Sequence, residues 1–232
     1  MYARKVGERT LVFGVSGLLV RNSLVMYDHQ TGSLWSHLTG QALSGPLAGE
    51  HLELLAATQA SWGKWRRSHS ETLILAFDPA LEGDPYSGYY RSPRLGAERD
   101  QADFMVDPRL KAKEEVIGLR LDGHVKAYSV ATLARDRVIN DLVGAVPVVV
   151  VYDGASQSAA VFRRDPGGRL LSFEPGAAAL ELLDEQTASR WDGLSGASVS
   201  GSLEGTSLEQ IPVTFAFWFA WSSFYPETEL FA

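Results

Sequence analysis

The sequence predicts a β-rich α+β fold made of two related repeat units, each with short antiparallel strands and one or two short helices. Three observations predict it. A nine-residue phrase occurs twice, as YDHQTGSLW at 27–35 and as LDEQTASRW at 183–191. Residues 28–76 align without a gap with 184–232, with 20 identities in 49 positions, where average composition would give about three. Short alternating or apolar stretches are separated by Gly, Asp and Pro, the punctuation of turns between strands.

The identities fall on residues that shape backbone and core: Gly40/Gly196, Gly45/Gly201, Gly49/Gly205, Leu47/Leu203, Leu52/Leu208, Trp62/Trp218 and Trp65/Trp221. Upstream the match continues with small gaps, pairing Phe13 with Phe173 and Tyr2 with Phe162. The second unit opens earlier, near Val116, with a stretch that has no counterpart in the first. The expected organisation is therefore a first unit at 1–76 lacking its opening strands, a Pro/Gly/Tyr-rich connector at 77–115, and a complete second unit at 116–232. On this reading the chain opens inside a unit of a longer parent protein, and its unpaired strand edges predict association into dimers.

In chain order, LVMYD, HQTG and SLWSHL predict strand, tight turn and strand, with Asp28 bonding backbone within the turn. The segment around Trp62 and Trp65 predicts a helix with both indoles on one face. An ordered stretch is expected around Tyr86, Tyr89 and Tyr90 inside the connector. Asp122-Gly123 between alternating residues marks a hairpin, and Ser129 caps a helix over SVATLARD. AVPVVVVYD is a buried strand with Pro147 near its start. The copy of the first Trp helix, TFAFWFAW, is more apolar and predicts deeper burial. Both copies end in strand-like tails, TLILAF and TELFA.

Composition bounds the function. A net charge of −7 argues against a nucleic-acid partner, which requires a basic surface to neutralise phosphates. The imbalance sits in residues 116–232, with 8 basic and 14 acidic residues against 13 and 14 in residues 1–115. Absence of cysteine excludes disulfides, thiolate metal sites and Cys nucleophiles. IPVTFAFWFAW is too short for a membrane span, and MYARKVGER lacks a signal-peptide core.

The strings FGVSGLL, YDHQTGSLWSHLTG, GPLAG and the paired KAY…VIND of 126–141 resemble one prokaryotic family, domain of unknown function 3179, over nearly the whole chain. The resemblance implies a two-copy architecture in exported or lipid-anchored proteins, without an established activity, and an N-terminally truncated member here. It also implies a His-Glu pair before Asn-Asp and a Tyr-Cys-Pro-Leu-Cys run in the family's first unit. This chain lacks that part of unit one. In unit two the equivalent positions hold Asp136-Arg137 before Asn140-Asp141, and Tyr152 to Ser156 without cysteine.

Candidate chemistry is sparse. Ser16 in FGVSGLL sits in G-x-S-G, short of the nucleophile-elbow pattern, and reads first as a turn residue. Asp28, Ser33 and Trp35, with Asp184 and Trp191 in the second copy, read first as a turn and core set. They read second as a polar pocket beside an aromatic wall, to which Trp62 and Trp65 would add rings. His29, His37 and His51 have diverged from Glu185, Gly193 and Ser207. A catalytic set of Ser16, Asp28 and His37, or a divalent cation on His29, His37 and His51, would place acid–base or metal-assisted hydrolysis in unit one. Asp136, Asp141 and Asp153 are a further candidate group for calcium. Two functions follow: a hydrolase with its site in unit one or the inter-unit cleft, or a non-catalytic module that binds a small ligand or scaffolds an exported protein.

Overall fold

A computed structural model describes residues 1–74, 86–95 and 107–232. The first half contains β1 (Lys5–Val6), β2 (Arg9–Thr10), β3 (Phe13–Val20), β4 (Ser23–Asp28), β5 (Leu34–Ser36) and β6 (Ala42–Ser44), followed by α1 (Trp62–Ser68) and α2 (Ser87–Arg91). Then come β7 (Glu115–Leu121), β8 (His124–Ser129), α3 (Val130–Asp136), β9 (Val138–Val143), β10 (Val146–Asp153) and β11 (Ser158–Arg163). The last third holds β12 (Phe173–Pro175), β13 (Glu181–Asp184), β14 (Arg190–Asp192), β15 (Ser198–Ser200), β16 (Val213–Phe217), α4 (Trp218–Phe224) and β17 (Glu229–Phe231). The protein is β-rich, as the sequence predicts.

β10 lies at the centre of the second half, in the antiparallel sheet β11-β10-β9. One face, carrying Val148, Val150 and Tyr152, packs on Ile117, Leu119 and Tyr128 of the sheet β16-β7-β8-β17. The other, carrying Val149 and Val151, packs on Leu171, Phe173, Leu182 and Trp191 in and beside the sheet β12-β13-β14-β15. Burial on both faces is why VPVVVV is a continuous apolar run rather than an alternating one. Pro147 falls second in the strand.

The hairpin between β7 and β8 turns at Asp122-Gly123, with φ of 49° and 81° and Leu121 paired with His124. Ser129 caps α3, its Oγ accepting from the Thr132 N–H at 3.4 Å and donating to Glu114. A second hairpin, absent from the sequence reading, joins β3 to β4 through Arg21 and Asn22, both at positive φ. Arg21 donates to the Ser223 carbonyl near the C-terminus of α4 and lies over the Phe224 ring. A cation is favourable there because the last carbonyls of a helix carry partial negative charge.

The sheet β3-β4-β5-β6 has the same order and sense as β12-β13-β14-β15. Its core of Leu11, Trp35, Ala42 and Leu52 falls on positions equivalent to Leu171, Trp191, Ser198 and Leu208. Phe13 meets Trp35 edge-on at 5.7 Å, and Phe173 meets Trp191 in the same way at 5.7 Å.

The two tryptophan helices form where expected but differ in what lies beneath them. Trp218 and Trp221 of α4 are fully buried over Val116 and Ala127, whereas Trp62 of α1 is 43% exposed. Trp218→Ala should therefore cost about 3–5 kcal/mol, and Trp62→Ala less than about 1.5 kcal/mol. Urea unfolding of the two variants measures this, and equal losses would contradict it. In the tails, Glu229–Phe231 is a strand parallel to β8. Thr72–Ile74 is not a strand, and the remainder of TLILAF lies outside the described residues. Within the connector, Tyr89 and Tyr90 of α2 pack against Phe217; 75–85 and 96–106 lie outside the described residues.

Candidate functional site

The twice-occurring phrase forms a closed polar cluster. Asp28 ends β4 and turns its carboxylate back into the hairpin. Oδ1 accepts from the Thr31 N–H at 2.6 Å, the Thr31 hydroxyl lies 2.9 and 2.8 Å from the two oxygens, and Oδ2 accepts from Trp35 Nε1 at 2.9 Å. The Thr31 and Ser33 hydroxyls are 2.7 Å apart, and Ser33 Oγ accepts from the Leu47 N–H at 3.1 Å. Asp184, Thr187, Ser189, Trp191 and the Leu203 N–H make the same bonds at matching distances. Asp28, Ser33, Trp35 and their three counterparts are completely inaccessible to solvent.

Gly45 (φ 91°) and Gly201 (φ 102°) complete each cluster. A Cβ at either position would fall 2.7 Å from the Cα of Ser33 or Ser189, so the turn and the close approach both require glycine. Burial alone would raise the Asp28 carboxyl. The donors from Trp35, Thr31 and the Ser33 backbone outweigh that and hold it below the ordinary carboxylate value. The arrangement locks a hairpin to the core and leaves no open acceptor facing solvent.

The remaining sequence candidates occupy separate places. Ser16 lies in an irregular stretch of β3 rather than a turn, donating to the Val25 carbonyl at 2.6 Å and accepting from the Leu18 N–H at 3.1 Å. Among the described residues no hydrogen bond joins any two of Ser16, Asp28 and His37. His29, His37 and His51 are all exposed, and among the described residues no three His, Asp or Glu side chains gather to hold a metal ion. Asp136 is held by Arg135, Asp141 by Lys126 and Tyr128, and Asp153 by Ser156, so the calcium group is dispersed. Trp65 stacks on His69 at 3.9 Å and donates to Thr72 at 3.0 Å.

Open space lies instead between the halves, around Gln59 and Phe215. One cavity of about 400 Å³ is lined by Gln59, Tyr90, Glu115, Tyr152, Gln157 and Phe215. A second, of about 380 Å³, is bounded by Tyr2, His37, Thr58 and Val213–Phe215. Burial, reinforced by Glu115 and Asp153, raises the Tyr152 phenol, so it stays a hydrogen-bond donor. Although its side chain reaches solvent, partial desolvation at the cavity wall, with the Met1 amino group, holds the His37 imidazole below its ordinary value. Gln59, Glu115 and Gln157 do not stand out in the sequence, and Tyr152 does so only as the start of the cysteine-free run. The four come from three segments, Tyr152 and Gln157 sharing the β10–β11 hairpin.

These features define a β-rich α+β protein with two like-built four-stranded sheets, each closed by a buried Asp–Trp pair. Residues 1–228 match the family described as "Protein of unknown function (DUF3179)", and the chain belongs to that family. No curated protein and no solved structure matches it. Among the described residues no helix is long and apolar enough to cross a membrane.

Proposed function

We propose that the protein is a ligand-binding module whose site is the cavity between the halves, and that its ligand is a polyhydroxylated small molecule of the saccharide class. The observation that carries this is the lining of the 400 Å³ space by two amides (Gln59, Gln157), two phenols (Tyr90, Tyr152), one carboxylate (Glu115) and the Phe215 ring. A space of this size suits a small ligand. Amides, phenols and a carboxylate together supply both donors and acceptors for hydroxyl groups, and aromatic rings offer apolar faces to the C–H side of a sugar. On the same reading, 28–76 and 184–232 are copies of one unit, and each contributes one residue, Gln59 and Phe215, to the cavity wall.

Calorimetric titration against a panel of mono- and oligosaccharides tests it. At least one member should bind, with Glu115→Gln and Tyr152→Phe each weakening it roughly tenfold, the value of one lost hydrogen bond to the ligand. Silence across the panel would sink the proposal.

A hydrolase reading has one observation of its own, the neutral-leaning His37 imidazole at the rim of the neighbouring cavity. Below its own lowered value the ring gains a proton and can no longer act as a base, so turnover should fall on acidification. Chromogenic ester, phosphoester and glycoside substrates, with and without chelator, decide it. Turnover no greater than that of His37→Ala removes the reading.

A further inference from the structure

Residues 57–61 and β16 are counterparts at the 156-residue spacing, yet they use their strand edges differently. Gln59 bridges antiparallel to Ala159 of β11, and the Ser61 N–H donates to the Ser156 carbonyl at 3.0 Å. β16 pairs with β7 along one edge. Among the described residues, nothing pairs with its other edge.

The residues leading into each half show what belongs there. β11 runs into Phe162, which bridges to Gln210 and lies against Gly196. In the first half Tyr2 bridges to Leu54 and lies against Gly40. The Leu55 N–H donates to the Met1 carbonyl, as the Ile211 N–H does to that of Val161. Met1–Tyr2 therefore stands where Val161–Phe162 stands in the second half. Carried one step back along the chain direction, the relation of Ala159 to Gln59 puts an extended strand against Phe215. That position is the 380 Å³ cavity bounded by Met1, Tyr2, Thr58 and Val213–Phe215.

We propose that the free edge of β16 is a strand-docking site. Its occupant is an extended peptide segment of small residues, patterned like Ser158-Ala159-Ala160, lying antiparallel to β16 on the amino side of Met1. Backbone groups of Thr214–Ala216 would provide the affinity, as in other strand additions to a sheet edge. Side-chain size would provide selectivity. Ala159 and Ala160 in the equivalent place are 0% and 1% exposed, so small side chains are what the second half buries there. The site adjoins the Glu115–Tyr152–Gln157 cavity, sharing Gln59 and Phe215 with it, but the docking rests on backbone pairing and not on what that cavity binds.

The test joins the residues of 154–160, Gly-Ala-Ser-Gln-Ser-Ala-Ala, directly ahead of Met1, with a control in which prolines replace the final two alanines. Hydrogen exchange of the Thr214–Ala216 amides is then followed in the unextended and both extended chains. The alanine extension should slow exchange roughly tenfold or more at the outward-facing amide. The proline control should leave it unchanged, because two prolines remove the N–H groups that would bond the β16 carbonyls and so keep the segment from pairing at all. Equal rates in all three chains, or equal protection by both extensions, would overturn the proposal. So would protection already present in the unextended chain that disappears on dilution, since a second copy would then hold the edge. Free peptides of the two sequences, added in excess to the unextended chain, give a second reading that any misfolding of the fusions does not affect; indifference to both again overturns it.

Discussion

Asp184→Ala is expected to lower stability by about 3 kcal/mol or more, a large share of the 5–15 kcal/mol that holds a domain folded. The carboxylate has no water around it and satisfies the Trp191 indole N–H, the Thr187 N–H and the Thr187 hydroxyl. Alanine leaves the first two without partners inside the core, and each orphaned buried group costs about 1–3 kcal/mol. The hydroxyl can still turn to Ser189, 2.7 Å away, so it adds little. For a chain of this length the midpoint of thermal unfolding should fall by roughly 6–12 °C. A loss below about 1 kcal/mol would show that the cluster tolerates water.

Asp28 adds a pH dependence. Its carboxyl sits below the ordinary value in the folded protein, and in the unfolded chain it returns to about 3.9. The folded state therefore gains stability from the charged form above that value, and loses it as pH falls through the lower folded value. Unfolding followed from neutral pH down through this acid range should show the loss in the native chain. Asp28→Asn should be less stable at neutral pH and flatter over the acid window. An unchanged acid profile in Asp28→Asn would assign the acid sensitivity to other carboxylates.

Much of this cluster is legible in the sequence, because a phrase that occurs twice shows which of its positions are the same in both places and which differ. Asp28 as a turn residue, Trp35 as core and the glycines at 40, 45 and 49 all follow from that comparison. The Asp–Trp bond is less obvious, since it spans seven residues across a hairpin. Its signal is the spacing itself: Asp28 to Trp35 and Asp184 to Trp191 are both seven apart. Trp65 to Thr72 and Trp221 to Thr228 share that interval and are also hydrogen-bonded, at 3.0 Å each. The β3–β4 hairpin escapes notice because Arg21-Asn22 supplies its positive φ without glycine. The inter-half cavity escapes for a different reason. Tyr152 and Gln157 share one hairpin, but Gln59 and Glu115 join them only after sheets from both halves have packed, and tertiary adjacency of that kind leaves no local pattern.

Gly118→Val is expected to be the most damaging single change in the chain. Gly118 lies in the middle of β7, between Ile117 and Leu119 and paired with Thr214 on one side and Ala127 on the other. Its backbone is ordinary strand, so conformational freedom is not the reason for glycine. A Cβ there would fall 2.2–2.4 Å from the Trp221 ring, well inside van der Waals contact. The indole has nowhere to go, being 1% exposed, bonded to Thr228 at 3.0 Å and packed on Tyr225. Even alanine must shift α4 or bend β7, and overpacking of this kind costs about 1–3 kcal/mol. Valine adds two methyl groups to the same clash and should exceed that range, lowering the thermal midpoint by more than about 6 °C. The decisive comparison is the double variant Gly118→Ala, Trp221→Leu. Shortening the ring should recover part of the alanine penalty, giving a coupling between the two sites larger than about 0.5 kcal/mol. Additive losses would mean that the constraint at Gly118 lies in the strand rather than in the tryptophan above it.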